Sequence, residues 1–260
     1  MKKDATHTIR RAEHFKTILT GEGFLVGLIA GLVVLLYRVL LEYAGRAMNV
    51  ILGYSRENPA AAGAWFVLLI LMACIVGKLV KWEPMISGSG IPQVEGEMTG
   101  KLEQVWWRVL PAKFLGGFLS LLAGLSLGRE GPSIQIGAMT GKALSKALDR
   151  GKTEEKYLLT CGASAGLAAA FHAPLAGVMF SLEEIHKNFS VSVLVSVMTA
   201  SITADYVSSQ FLGFHSVFQF DIGAEIQPRY YWHILILGVI LGLLGAFYNK
   251  MTLWVQNLYY

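Results

Sequence analysis

The amino-acid sequence predicts an all-α polytopic membrane protein, and its composition is the first observation behind this prediction. Of the 260 residues, 54% are hydrophobic and 15% are charged, and the mean hydropathy is +0.50. A soluble globular domain is less apolar and more charged. The second observation is that apolar residues cluster in stretches of roughly 20, the length a helix needs to cross a bilayer. These stretches comprise residues 24–43, 64–80, 109–127, 158–182, 191–212 and 232–255.

Charged residues outside the apolar stretches predict the topology. Residues 1–23 form a basic segment without the compact apolar core and small-residue cleavage site of a signal peptide, so we expect it to stay attached. The positive-inside rule places this segment in the cytoplasm. A polar loop expected at 45–62 makes the first two spans a hairpin, which returns Lys78 and Lys81 to the same side. The net charge of +4 is thus a topology signal, and the expected partner is the lipid bilayer, not nucleic acid.

Glycine and proline interrupt the apolar pattern between residues 84 and 174, at 86–92, 128–132 and 171–174. Backbone that leaves helical geometry at membrane depth must be buried by protein or line a polar pathway. Half-helices that meet near the bilayer midplane are the usual way a transporter builds an ion site. The pattern therefore predicts broken helices around an ion pathway.

The first candidate site is Gly88-Ser89-Gly90-Ile91-Pro92. Two glycines free the backbone, Ser89 offers a hydroxyl and a helix cap, and Pro92 fits the first turn of a helix. A helix that starts here has free N–H groups and the positive end of its dipole available to an anion, and Ser89 can donate a hydrogen bond to it. An ordinary capped helix start is the alternative interpretation.

Gly128-Arg129-Glu130-Gly131-Pro132 repeats this arrangement further along the chain, but it adds a carboxylate. When Glu130 is ionised, its carboxylate competes with an anion for the same backbone N–H groups. When it is protonated, it loses its charge and must leave this position. One side chain could therefore gate the anion and carry a proton. The alternative interpretation is a glutamate paired with Arg129 at the membrane interface.

Three further ionisable residues lie in or beside apolar stretches. Lys113 follows a proline inside the stretch 109–127, where it either supports an anion electrostatically or extends to the interface. Glu183 and Glu184 close the segment after Pro174, so a helix starting there carries both acids near its C-terminal end. They are candidates for proton relay, although two solvated acids at a helix end are common.

Other chemistries have weaker support in the sequence. Cys74 and Cys161 lie within apolar segments at no metal-ligand spacing, so neither a disulfide framework nor a metal site is expected. Residues 162–166 match the G-x-S-x-G pattern, which with His172 suggests an intramembrane serine hydrolase acting through Ser164. This pattern requires a strand-to-helix elbow, whereas here it lies in a helical segment rich in small residues. An enzyme is therefore not expected.

The motifs at 88–92 and 128–132, together with the segment 168–181 followed by Glu183-Glu184, resemble the CLC family of chloride channels and proton/chloride exchangers. The resemblance implies a CLC-like first inverted repeat with broken and re-entrant helices at residues 24–230, and the start of a second repeat at 231–260. It also implies a homodimer in the cell membrane. No cofactor is implied, and the transported ions would be chloride and the proton.

By this resemblance, the two motifs form the anion site, Glu130 is the gate and outer proton-transfer residue, and Glu184 is the inner proton-transfer residue. Lys113 would give electrostatic support. The implied anion-binding residues are Gly88, Ser89, Gly90, Ile91, Pro92, Gly128, Arg129, Glu130, Gly131 and Pro132.

Two features of the family pattern do not occur before Tyr260, namely a third motif of the form G-x-F-x-P and a late pore tyrosine. We therefore expect the chain to be truncated within the second repeat. Three functions remain open: chloride/proton antiport gated by Glu130, passive chloride conduction, and a truncated subunit that dimerises without transporting. Glu184 favours antiport, because the resemblance implies that channels generally replace this acid.

Overall fold

The computed structural model describes the backbone of residues 2–213 and 227–259, and the side chains of these from residue 16 to residue 258. The chain divides into two units, Met1–Val217 and Phe218–Tyr260. The helices of the first unit are α1 (Lys2–Glu57), α2 (Pro59–Trp82), α3 (Ile91–Met98), α4 (Trp106–Leu122), α5 (Glu130–Ala147), α6 (Lys152–Phe171), α7 (Pro174–Phe180) and α8 (Val191–Leu212). The described part of the second unit forms α9 (Trp232–Tyr259), preceded by a 3-10 turn at Pro228–Tyr230.

Among the described residues, four helical segments are long and apolar enough to cross a membrane: Lys16–Glu57, Pro59–Trp82, Val191–Leu212 and Pro228–Leu258. The predicted stretch 191–212 coincides with α8, and 232–255 lies within α9. The predicted stretch 158–182 contains a break, because α6 ends at Phe171 and α7 begins at Pro174. Proline has no N–H and disfavours helical geometry in the residue before it.

The first helix is longer than predicted. A loop was expected at 45–62, but α1 continues to Glu57 and Asn58 alone separates it from α2. The backbone of Asn58 is extended (φ −127°, ψ 104°), as expected for a residue that precedes proline. Glycines at positions 45 and 53 do not stop the helix, so the expected polar loop was wrong.

Helices α5 and α6 form the centre of the first unit, and glycine lets their backbones touch. A Cβ atom on Gly137 would lie 3.0 Å from the Gly162 carbonyl carbon, and one on Gly166 would lie 3.0 Å from the Ser133 carbonyl carbon. Small residues permit this close approach where lipid offers no hydrophobic driving force between helices. The small-residue character of 162–177 therefore has the packing role that its composition predicts.

A second small-residue contact joins α1 to α8. Gly23, Gly27 and Gly31 repeat every four residues, so they share one face of α1. Cβ atoms built on Gly27 and Gly31 would each lie 2.8 Å from a Cα atom of α8, that of Ala200 and that of Ala204 respectively. The spacing is that of the G-x-x-x-G packing motif.

This contact makes a first prediction. Gly27→Ala should lower the free energy of unfolding by about 1–3 kcal/mol, because the new methyl group has no space and two backbones must separate. Gly21→Ala on the same helix is the matched control, since a Cβ there meets nothing within 4 Å. Equilibrium unfolding of the purified protein in detergent measures both changes. If the two variants had the same free energy of unfolding, the close packing of α1 against α8 at Gly27 would be contradicted.

Candidate functional site

The first motif forms a tight turn that leads into α3. Gly88 (φ +66°) and Gly90 (φ +99°) lie in the left-handed region, where a side chain would add strain. The Ser89 hydroxyl oxygen accepts a hydrogen bond from the N–H of Ile91 at 3.3 Å, so its own hydrogen is available to another acceptor. The expected helix start is confirmed: α3 begins at Ile91, with Pro92 in its first turn.

The second motif starts α5 and touches the first motif. The first hydrogen bond of this helix runs from the N–H of Ser133 to the Arg129 carbonyl, at 3.1 Å. The N–H groups of Glu130 and Gly131 precede that bond, as the first N–H groups of any helix do. A Cβ on Gly131 would lie 2.7 Å from the Ser89 Cβ, so glycine is required for the two motifs to approach this closely.

A cavity of about 550 Å³ joins the two motifs. Its wall includes Gly88 and Ser89 from the first motif, Glu130 from the second, and Lys113 from α4. The turn that precedes α3, the start of α5 and Lys113 therefore border the same space, whereas Gly90, Ile91, Pro92 and Arg129 are not among the described residues of its wall. Positive helix ends and hydrogen-bond donors around a cavity favour an anion.

Lys113 is buried, and its ammonium holds the first motif in place. Its Nζ donates to the carbonyl oxygens of Ile86 and Gly88, each at 2.9 Å. These bonds satisfy the ammonium inside the protein without a carboxylate. They also hold the backbone that immediately precedes Ser89, which the sequence alone did not predict.

A second prediction follows for Lys113. Lys113→Met should weaken the binding of a small anion by about tenfold, because it removes a positive charge and two hydrogen bonds that order the Ser89 turn. The matched control is Lys101→Met, since Lys101 is exposed beyond the end of α3. Calorimetric titration with chloride measures both. Unchanged affinity in Lys113→Met would exclude this role.

Glu130 is exposed at the start of α5, and its carboxylate folds back over Gly128. In the part of the chain the structure describes, Glu130 forms no ion pair. The neighbouring Arg129 instead places its guanidinium 5.8 Å from the centre of the Phe171 ring. The alternative in which Arg129 pairs with Glu130 is therefore wrong.

The two acids near the end of α7 lie on a π-helical turn, Ser181–His186, and both are exposed. Their position near a helix C-terminus confirms the sequence-based expectation. Lys187 follows this turn and forms an ion pair with Glu95 of α3. The hydrogen bond to Glu95 raises the pKa of Lys187. This pair links the acidic turn to α3, the helix that starts at Ile91.

Residues 69–260 match the family model described as "Voltage gated chloride channel". The chain belongs to this family. The resemblance to the CLC family is thereby confirmed, together with the all-α membrane fold.

Relatives and solved structures of the family agree. The chain is 38% identical over 198 residues to the H(+)/Cl(-) exchange transporter ClcA of Salmonella paratyphi B (strain ATCC BAA-1250 / SPB7), an alignment that covers 75% of this chain and 42% of the relative. The same values hold for ClcA of Salmonella newport (strain SL254). The chain thus spans less than half the length of these relatives.

The crystal structure of a slow cyanobacterial Cl-/H+ antiporter superposes with a TM-score of 0.79 at 32% identity, covering 89% of this chain and 56% of that one. A CLC-type fluoride/proton antiporter superposes with a TM-score of 0.69, over 88% of this chain and 55% of that one. At 24% identity, the second likeness concerns the fold alone.

Behind the CLC motifs lies a buried polar network that sequence reasoning missed. Gln135 of α5 donates to the Met85 carbonyl at 2.8 Å and to Gln104 Oε1 at 2.6 Å. Gln104 donates in turn to Glu97 at 3.0 Å, and Glu97 forms an ion pair with Lys142. In the sequence, Glu97 and Gln104 are seven residues apart, and so are Gln135 and Lys142, but no local pattern pairs the two segments.

The G-x-S-x-G pattern at 162–166 has a different structure from a hydrolase elbow. Ser164 is fully buried in the middle of α6, with no strand before it. His172 lies at the end of that helix and contacts Asp205 of α8. Ser164 is thus a packing residue between helices.

Proposed function

We propose that this chain contributes one side of the anion pathway of a chloride/proton antiporter. The observation that carries the proposal is the single cavity lined by both motifs and by Lys113, with the Glu130 carboxylate on its wall. Relatives named as H(+)/Cl(-) exchange transporters, and the structure of a Cl-/H+ antiporter, support chloride and the proton as the ions.

In this proposal the anion binds where the two helix starts converge. Ser89 donates its hydroxyl hydrogen, and the N–H groups at the start of α5 provide further donors. Lys113 keeps the first motif ordered through the Ile86 and Gly88 carbonyls, and its charge lowers the energy of an anion in the cavity. Residues 88–92 and 128–132 form the anion site together, with no metal or organic cofactor.

Glu130 gates this site and carries the proton on the outer side. Its carboxylate already lies against the backbone at Gly128, beside the N–H groups that an anion would use. An ionised carboxylate can occupy the anion position, and protonation removes the charge that holds it there. Glu184 would deliver the proton from the inner side, where it is exposed on the π-helical turn.

The test is a transport measurement on the intact protein in liposomes, with Glu184→Gln as the key variant. A chloride gradient should drive protons uphill in the wild type, and Glu184→Gln should abolish this movement while chloride flux persists. Glu183→Gln is the matched control, because its side chain is a neighbouring exposed acid, and it should retain coupling. Chloride flux without protons in the wild type would indicate a passive channel, and absence of flux a subunit that only dimerises.

We also propose a homodimer in the cell membrane, with the N-terminus of α1 in the cytoplasm. The single residue between α1 and α2 makes them a hairpin, which supports placing Lys16 on the same side as Lys78 and Lys81. Cysteine labelling at either end of α1 in intact cells tests the orientation. Cross-linking in native membranes tests the dimer.

A further inference from the structure

The end of α6 is held by a histidine–aspartate pair that the proposed transport mechanism does not use. His172 follows the last helical residue, Phe171, in the left-handed conformation (φ 58°), and its N–H donates to the Ala168 carbonyl at 2.8 Å. Its ring nitrogen Nδ1 lies 2.6 Å from Oδ1 of Asp205 on α8. Both side chains are mostly buried, with exposed fractions of 20% and 15%.

Charged groups from the surrounding elements meet at this helix end. Arg38 of α1 donates to the Ala169 carbonyl at 2.6 Å and to the Ser208 hydroxyl at 3.2 Å. Its guanidinium interacts electrostatically with Arg129, Glu42 and Asp205. Asp205 therefore balances positive charge from α1 and from the segment before α5, and a neutral residue there would leave Arg38 facing Arg129.

One contact connects this helix end to the gate. The guanidinium of Arg129 lies over the ring of Phe171, the residue before His172. Arg129 is also the residue before Glu130, and its carbonyl accepts the first hydrogen bond of α5. The Phe171 ring is therefore in contact with the residue at which the hydrogen bonds of α5 begin.

We propose that His172 and Asp205 are positioning residues for the Glu130 gate. The pair fixes the end of α6 against α8, the fixed Phe171 ring supports Arg129, and Arg129 sets the start of α5 with its gating carboxylate. The link to transport rests on the proposed function, but the positioning of this segment does not.

The experiment measures the position of the gate segment directly and independently of transport. Leu127 is exposed, lines the cavity and lies two residues before Arg129. The reporter is Leu127→Cys in the intact protein, with the exposed Cys74 replaced by serine. A water-soluble thiol reagent is applied, and the modification rate is compared among His172→Ala, Asp205→Ala, the double variant and His172→Asn.

We expect each alanine variant to change the modification rate by about tenfold, the effect of losing one charge-assisted hydrogen bond. The double variant should match Asp205→Ala, because both lose the same pair and the same negative charge. His172→Asn should restore the wild-type rate, since asparagine tolerates the left-handed conformation and can donate to Asp205. Thr199→Ala on the exposed face of α8 is the control and should have no effect.

Two results would overturn the proposal. One is an unchanged modification rate in alanine variants that have a lower free energy of unfolding. The pair would then stabilise the contact between α6 and α8 without positioning the gate segment. The other is a rate in His172→Asn that equals the rate in His172→Ala. If the wild-type protein moved no chloride in the liposome transport measurement, the proposed function would be refuted. The modification rates would still decide whether the pair positions the gate segment.

Discussion

Glu130→Gln is expected to reduce proton movement to the level of empty liposomes while chloride flux continues. Glutamine has nearly the same shape as glutamate, so the cavity and the start of α5 should be preserved. It cannot lose or carry a proton, and it has no charge with which to imitate an anion. We therefore expect coupling to require the ionisable group and the anion pathway to persist without it.

The position of Glu130 explains why replacing one carboxylate oxygen by an amide nitrogen is expected to have so large an effect on proton movement. The carboxylate lies at the first turn of α5, where the helix dipole and unpaired N–H groups stabilise negative charge. In the described residues it has no cation partner to hold it in place or to fix its charge. In the proposed mechanism, protonation would therefore release this side chain without breaking an ion pair.

The measurement follows pH and chloride simultaneously in liposomes that contain the intact protein. Glu57→Gln is the control, because Glu57 is an exposed acid at the end of α1 that is not among the described residues of the cavity wall. It should transport both ions like the wild type. Uphill proton movement that survives in Glu130→Gln would remove Glu130 from the mechanism.

The helix starts of the site could be predicted from sequence because their causes are local. Glycines at positions 88 and 90 permit the turn, and Pro92 fits the first turn of the helix that follows. The same chemistry predicts the start of α5. Once a helix start is located, the direction of its dipole and the position of its free N–H groups follow without knowledge of the fold.

Contacts between distant segments could not be predicted in this way. Arg38 and Glu42 are one turn apart, so the sequence predicts that they neutralise each other. In the structure Arg38 binds the Ala169 carbonyl, and Glu42 pairs with Arg46. The Ala169 carbonyl is less exposed to water than the Glu42 carboxylate, so water competes less with it for the arginine. It lies 131 residues away in the sequence, and only the fold brings it close.

Lys113 illustrates the same limit inside the candidate site. Sequence reasoning recognised that a buried ammonium needs partners, and it offered an anion or the interface. The structure supplies the Gly88 carbonyl of the first motif and the Ile86 carbonyl just before it, which lie 25 and 27 residues earlier in the chain. The G-x-x-x-G stripe of α1 differs, because its four-residue spacing was visible in the sequence and could have been recognised.

The second large effect is expected at the buried pair of Lys142 and Glu97. Lys142→Met should lower the free energy of unfolding by about 3–5 kcal/mol, because it leaves the Glu97 carboxylate buried without its cation. Only 3% of the Lys142 side chain and 8% of the Glu97 side chain are exposed, so water cannot replace the lost partner. Gln104 still donates to Glu97, but a neutral amide does not balance the charge.

A second substitution separates the cost of the unpaired charge from the cost of lost packing. In Lys142→Met/Glu97→Gln no buried charge remains, and the new glutamine can still accept from Gln104, so most of the lost stability should return. Lys152→Met is the surface control: its side chain is 72% exposed, and its ion pairs should contribute at most about 1 kcal/mol. Unfolding in detergent, followed by tryptophan fluorescence, measures all three variants. If the double variant were as unstable as Lys142→Met, the defect would lie in packing around α5, and the network would not depend on charge balance.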